Sequence, residues 1–281
     1  MRPVTSEGQS KPRSAPFAER RLYSFGVTGL HPEPTNVASP TELSTGICDV
    51  VGRGRMGHAM AAALAEARVR VRGPLGRGAT GDGAEIVLLC VPDREMANAA
   101  AVILPGPVVG HVSASAPLDL LAPHERFNLH PLLSVVGTGA PFTGAACAID
   151  GSSPRAITIA RTLAERLGMR PRAIAAAERA LYHAAASAAS NFLITVEAMT
   201  ERLGTEVGLD RSAFAPLLRA TVDNWVEHGA AALTGPIARG DEETVVRQRA
   251  AVAAATPDLL PLWDALVAGT RALAATSSGG R

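Results

Sequence analysis

Two groups of residues in this chain have the types and spacing to do chemistry. The first is Gly52-Arg53-Gly54-Arg55-Met56-Gly57, which follows the apolar run 47–51 and opens the helix-favouring stretch 59–67. Three glycines so spaced between a strand and a helix form a dinucleotide fingerprint. One allows the tight turn, one lets backbone approach a pyrophosphate, and one lets helix and strand pack closely. The anion would then rest on a helix N-terminus, whose N–H groups lack intrahelical partners. The second group is Arg179, His183, Ser187 and Asn191, spaced four apart and so sharing one helix face, with Tyr182 beside them. A polar stripe in an alanine-rich helix suits substrate handling. His183 can give a proton to a nascent alkoxide or amine, while Ser187 and Asn191 orient substrate or water. The plainer alternative is a solvated or subunit-facing stripe.

Several further residues are expected to complete a site. The second strand reads as 69–72, ending on Arg72, with Arg77 nearby and no carboxylate before Asp82. Arginine at that point favours a 2′-phosphate over a free ribose hydroxyl, so NADP is the expected cofactor, with NAD as the other possibility. Val91 and Pro92 end the next strand and Ser113 the one after, at the edge where ligands bind in open α/β sheets. His130-Pro131 ends another strand at that edge, which nominates His130 for the substrate. The loop 234–241 offers Arg239 to a substrate carboxylate.

Composition removes other chemistries. Among 27 basic residues the one lysine is Lys11, in a Pro- and Ser-rich leader, so mechanisms needing a lysine in the folded body are excluded. The histidines lack metal-ligand spacing, a GxSxG elbow is absent, and no metal is expected. Three cysteines without CxxC spacing sit in apolar strands and read as core. A net charge of +1 and sparse aromatics argue against nucleic acid, and no uninterrupted apolar stretch suits a membrane. A cytoplasmic protein is expected.

These residues need a scaffold. Residues 1–44 read as a disordered leader. Strands at 47–51, 69–72, 85–91, 107–112, 126–130, 145–150 and near 170–175 alternate with helices or short loops, the loop 73–83 being too short for a full crossover helix. This predicts an α/β fold: a Rossmann-type parallel sheet over 45–176. From 178 to about 207 one long helix is expected. Asp210, Asp241 and Thr256-Pro257 then start three more, giving an all-helical C-terminal domain over 177–274 and a tail at 275–281. Alanine-rich helices offer few large side chains for a thick core, so this domain is also expected to pair in a homodimer.

The runs VVGRGRMG, IVLLCVPD, NLHPLLSV, ALYHAAASAASNFL and ALTGPIARGDEETV together resemble Rossmann-like proteins with a C-terminal domain of unknown function. That group is similar to ketopantoate reductases, pyrroline-5-carboxylate reductases, prephenate dehydrogenases and deazaflavin-dependent NADP oxidoreductases. The resemblance spans about residues 46–274. That group carries no assigned reaction, and the leading expectation is an NADP-dependent reductase that passes hydride from the nicotinamide to a small carbonyl or imine substrate bearing a carboxylate. One departure stands out. Ketopantoate reductases and β-hydroxyacid dehydrogenases carry a lysine, then an asparagine four residues later, on the first helix of the second domain. Here that face has His183, Ser187 and Asn191. Two other readings stay open: a non-catalytic dinucleotide-binding sensor or scaffold, and an oxidative dehydrogenase of a cyclic diacid.

Overall fold

The computed structural model describes residues 46–137 and 139–278; the expected leader lies outside them. Strands β1 (Ile47–Val51), β2 (Arg70–Leu75), β3 (Ile86–Leu89), β4 (Val108–His111), β5 (Arg126–Pro131), β6 (Ala146–Gly151) and β7 (Arg170–Ala173) form one sheet in the order β2-β1-β3-β4-β5-β6-β7. The central strands β3 and β4 are buried along their whole length, as continuous apolar runs require when both faces are covered. Both edge strands carry a proline, Pro74 in β2 and Pro171 in β7, where an outward position needs no ladder N–H.

Two expectations about this sheet are corrected. The second strand does not end at Arg72. It runs through Gly73-Pro74 to Leu75, shifting register so that Val51 meets Leu75. Gly-Pro reads as a turn in sequence, yet an edge strand tolerates it. Nor is the sheet wholly parallel. Among its described residues the connection 132–145 contains no helix, and β6 returns antiparallel to β5, with β7 parallel to β6 after a helical crossover.

Helices α1 (Arg55–Glu66) and α3 (Pro154–Arg166) close one face. There Met60, Leu64, Ile159 and Leu163 pack on Val50, Leu88, Phe127, Leu129 and Ile149. Ser153 caps α3 by accepting the Ala156 N–H, with Pro154 at the first helical position. The opposite face is covered near its centre by α2 (Met96–Ala101) and the turn Leu118–Leu121, over Val51, Val87, Leu89 and Val109.

Beyond β7 the described chain is helical: α4 (Arg179–Ser187), α5 (Leu193–Thr205), α6 (Arg211–His228), the single turn α7 (Pro236–Arg239), α8 (Glu242–Ala255) and α9 (Leu260–Ser278). The long helix expected over 178–207 is interrupted, because Ala188–Phe192 form a π-helical turn between α4 and α5. Such turns leave no propensity signal, since they widen an otherwise helical ladder by one residue. Asp210 and Asp241 cap α6 and α8 by accepting the N–H groups of Ser212 and Thr244. The last helix continues past residue 274, to Ser278. Among the described residues no helix is long and apolar enough to cross a membrane.

The first of these helices meets the sheet through polar groups. Register places His111 beside Asn128, and Asn128 opposite Asp150, on the face that also carries Val109. Arg179 of α4 lies over them, its side chain 9% exposed. It donates to Asn128 Oδ1 at 2.7 Å and to Asp150 Oδ2 at 3.1 Å. Removing one member of a buried ion pair strands its partners without compensation. Arg179→Met should therefore lower the unfolding free energy by about 3 kcal/mol in urea titrations. A second change, Asp150→Asn, should recover part of that loss by removing the orphaned charge.

Candidate functional site

Two clefts open at the carboxyl-end edge of the sheet. The first, about 550 Å3, is walled by Gly52, Arg53 and Gly54 after β1, by Leu75 at the end of β2 and Gly76, Arg77 and Ala79 after it, and by Val91 and Pro92 after β3. Gly52 has a φ of +127°, and a Cβ there would lie 2.2 Å from the Cys90 carbonyl oxygen. A Cβ on Gly57 would lie 1.8 Å from the Gly52 carbonyl oxygen, so the first turn of α1 is pressed against the glycine turn. Gly54 differs. It is the N-cap of α1, no side chain caps the helix, and a Cβ there would meet nothing within 4 Å. The 12-residue helix thus begins at a cleft-lining glycine with open space at its Cβ position, no side-chain cap and no acidic residue in the first turn. That is the geometry an anion needs.

The arginines divide differently from the sequence expectation. Arg72 donates from Nε and Nη2 to the two carboxylate oxygens of Asp49, at 2.6 and 2.8 Å, and from Nη2 to the Asp82 carbonyl at 2.7 Å. Asp49 is buried in β1, so this guanidinium compensates a carboxylate inside the sheet, and Arg72 does not line the cleft. With β2 extended to Leu75, the residues that follow the strand are Gly76 and Arg77, both on the cleft wall. The Arg53 guanidinium lies across Gly76, where an added Cβ would sit 3.3 Å from its Cζ. Arg55 is exposed on α1, while Met56 packs on the core.

The second cleft, about 370 Å3, gathers His130 and Leu132–Ser134 from β5 and its following loop. Facing them are His183, Ser187, Ser190 and Asn191 from α4 and the π turn. Four residues singled out in sequence therefore meet: His130, His183, Ser187 and Asn191. Arg239 does not join them. It is exposed on α7 and lines neither cleft. Three thiols, Cys48, Cys90 and Cys147, are buried and unpaired; burial raises all of them, Cys147 to about 12.

Behind the second cleft lies a polar network that sequence reasoning did not assemble. His111 is fully buried, and its Nδ1 accepts the Ser113 N–H at 3.2 Å, so the ring proton sits on Nε2. Asn128 Nδ2 lies 3.1 Å from the same Nδ1 and donates to the Ser113 carbonyl at 2.8 Å. Asp93 accepts the hydroxyls of Ser113 and Ser115 at 2.9 and 2.7 Å, which ties the ends of β3 and β4 together. Ser113 is thus a strut of this loop and lines neither cleft. His130 Nδ1 lies 2.8 Å from the Tyr182 hydroxyl, with the rings edge to face at 88°.

These contacts set the protonation of the site. Burial, then the Arg179 charge, pushes His111 down to about 4, against an opposing pull from Asp93. Burial, then His183 and Arg179, pushes His130 down to about 4. Both rings are neutral at neutral pH. Burial raises the Tyr182 phenol to about 12, so it keeps its proton. One signal for the network was present in the sequence: β5 reads R-F-N-L-H-P, with Asn128 and His130 alternating against apolar Phe127 and Leu129. Partners from β4, β6 and α4 could not be read from that alternation.

Comparison with known proteins follows this geometry. Residues 145–270 match the family model described as Domain of unknown function (DUF2520), a stretch running from the start of β6 into α9. No curated protein matches the chain. BF3122 of Bacteroides fragilis, described as a candidate NADP oxidoreductase, superposes with a TM-score of 0.68 at 18% identity, covering 80% of this chain and 98% of its own. TM1727 of Thermotoga maritima gives 0.66 at 22%, covering 83% and 99%. The reductive aminase of Aspergillus terreus, solved with NADPH and ethyl-5-oxohexanoate, gives 0.57 at 15%, covering 85% and 100%. At these identities the likeness is one of fold. The chain has a Rossmann-like fold, and its residues 145–270 match the DUF2520 model.

Proposed function

We propose that this protein is an NADP-dependent reductase of a small carbonyl or imine substrate. The observation that carries the reading is the pair of clefts on one sheet edge. One is an uncapped helix N-terminus beside a glycine turn; the other brings two histidines and Asn191 together. Fold neighbours lend it support, since one was solved with NADPH and another, a Plasmodium falciparum pyrroline carboxylate reductase, with NADP bound.

The residues present fit a dinucleotide. Gly52 and Gly57 hold the turn against α1, and the open space at Gly54 leaves the helix N-terminus free for a pyrophosphate. Arg53 and Arg77, rather than Arg72, are placed to take a 2′-phosphate. When bound, the cofactor supplies the hydride. His183 gives a proton to the reduced oxygen or nitrogen, Asn191 and Ser187 orient that atom, and His130 contacts the substrate from the sheet side. A carboxylate on the substrate would meet imidazole and hydroxyl groups, because Arg239 stands elsewhere.

The helical region supports pairing with a second copy. No residue of α6 is buried, and Val222, Trp225 and Val226 form an apolar stripe on its surface; Phe192 and Ile194 are exposed as well. A homodimer through these helices covers that surface. Buried, unpaired thiols suit a reducing, cytoplasmic setting.

Three outcomes are expected. Arg77→Ala should weaken NADPH binding about tenfold by calorimetry while leaving NADH binding nearly unchanged, the signature of a lost phosphate contact. With a keto acid and imine panel, His183→Ala should cut turnover about 100-fold at unchanged NADPH affinity. NADPH binding without consumption across the panel, and indifference to His183→Ala, would favour the sensor reading. Light scattering should give a dimer mass, and Trp225→Glu should shift it toward the monomer; a wild-type monomer would refute the pairing.

A further inference from the structure

The second cleft is chemically one-sided. Its lining contains imidazoles, hydroxyls, an amide and apolar groups, but no carboxylate. What it offers a ligand depends on which nitrogen of His130 carries the proton. Nδ1 is taken by Tyr182 at 2.8 Å. The phenol has no second protein partner among the described residues, and an O–H donating to Nδ1 satisfies both groups. That leaves the hydrogen on Nε2, at a ring that lines the cleft and makes no other hydrogen bond within the described protein. The edge-to-face packing at 5.6 Å between centroids holds both rings in this relation.

We propose that Tyr182 is a positioning residue that fixes His130 as its Nε2–H tautomer, so that the cleft presents a neutral donor to an acceptor oxygen of the substrate, a carbonyl or carboxylate, and not to a protonated imine. The second half of this statement rests on reading the cleft as the substrate site; the tautomer does not. A cationic iminium would find two imidazoles and hydroxyls, with no anion on the wall. A ketone or carboxylate oxygen would find donors instead.

The test uses the full chain labelled with 15N at histidine, the His130 signals being those lost in His130→Gln. At neutral pH the expected spectrum has an unprotonated Nδ1 and a protonated Nε2. Tyr182→Phe, which removes only the hydroxyl, should convert it to a tautomer mixture. A protonated Nδ1 in the wild type, or an unaltered spectrum in Tyr182→Phe, overturns the assignment. With NADPH present, a small 2-oxo acid should move the Nε2 resonance, and Tyr182→Phe should weaken its binding about fivefold, the worth of one hydrogen bond. A cyclic iminium that moves the resonance where the oxo acid does not overturns the acceptor half. If the tautomer is as expected but neither compound perturbs His130, the substrate-site reading fails while the role of Tyr182 toward His130 stands.

Discussion

Arg179 is the residue on which the relation between sheet and helices depends. Its guanidinium sits where two antiparallel strands, β5 and β6, present polar side chains to a buried surface, and it bonds one from each. Neither Asn128 nor Asp150 could face an apolar helix there without losing a partner. The cation therefore fixes where α4 begins and at what rotation it crosses the sheet. That rotation carries Tyr182 onto His130 and places His183, Ser187 and Asn191 along the same cleft. A geometric requirement at one end of the helix thus decides which side chains meet at the other.

The same charge acts on the chemistry. Lying behind His111 and His130, Arg179 lowers the proton affinity of both rings and adds to the effect of burial. Each imidazole stays neutral and so keeps one donor and one acceptor nitrogen. In His111 the acceptor is used by the Ser113 amide, and in His130 by the Tyr182 hydroxyl. Of the two, His130 lines the cleft, where a neutral imidazole held by a local partner gives a directed donor without a formal charge. This is a different solution from a lysine, whose ammonium is a strong but weakly directional donor.

Much of the scaffold was legible in the sequence because it follows from short-range rules. The glycine turn, the buried run of β3, and the caps at Ser153, Asp210 and Asp241 each depend on neighbours within a few residues. The stripe on α4 was readable because helical spacing makes it so. What escaped reading depends on tertiary position. Gly73-Pro74 stays in β2 because that strand lies at an edge, and edge status is a property of the whole sheet. The π turn at Ala188–Phe192 carries no signature in residue type. The alliance of Arg72 with Asp49 joins residues 23 apart, and local sequence showed an arginine without showing what it must neutralise.

That alliance bears on how the first cleft can select its ligand. A buried carboxylate in β1 needs a permanent cation, and Arg72 can serve it from the adjacent strand only by turning away from the cleft. Its third contact, to the Asp82 carbonyl, holds the far end of the loop that follows β2. The loop lacks a crossover helix to brace it, so this anchor takes over part of that task. Arg77, near the start of the same loop, lines the cleft wall, as does Arg53. The two arginines nearest in sequence thus have separate tasks: Arg72 shapes the loop, and the shaped loop offers Arg77 to the cleft. Arg77 is left with an exposed pairing to Glu95 at 3.6 Å, one that an incoming anion can compete for.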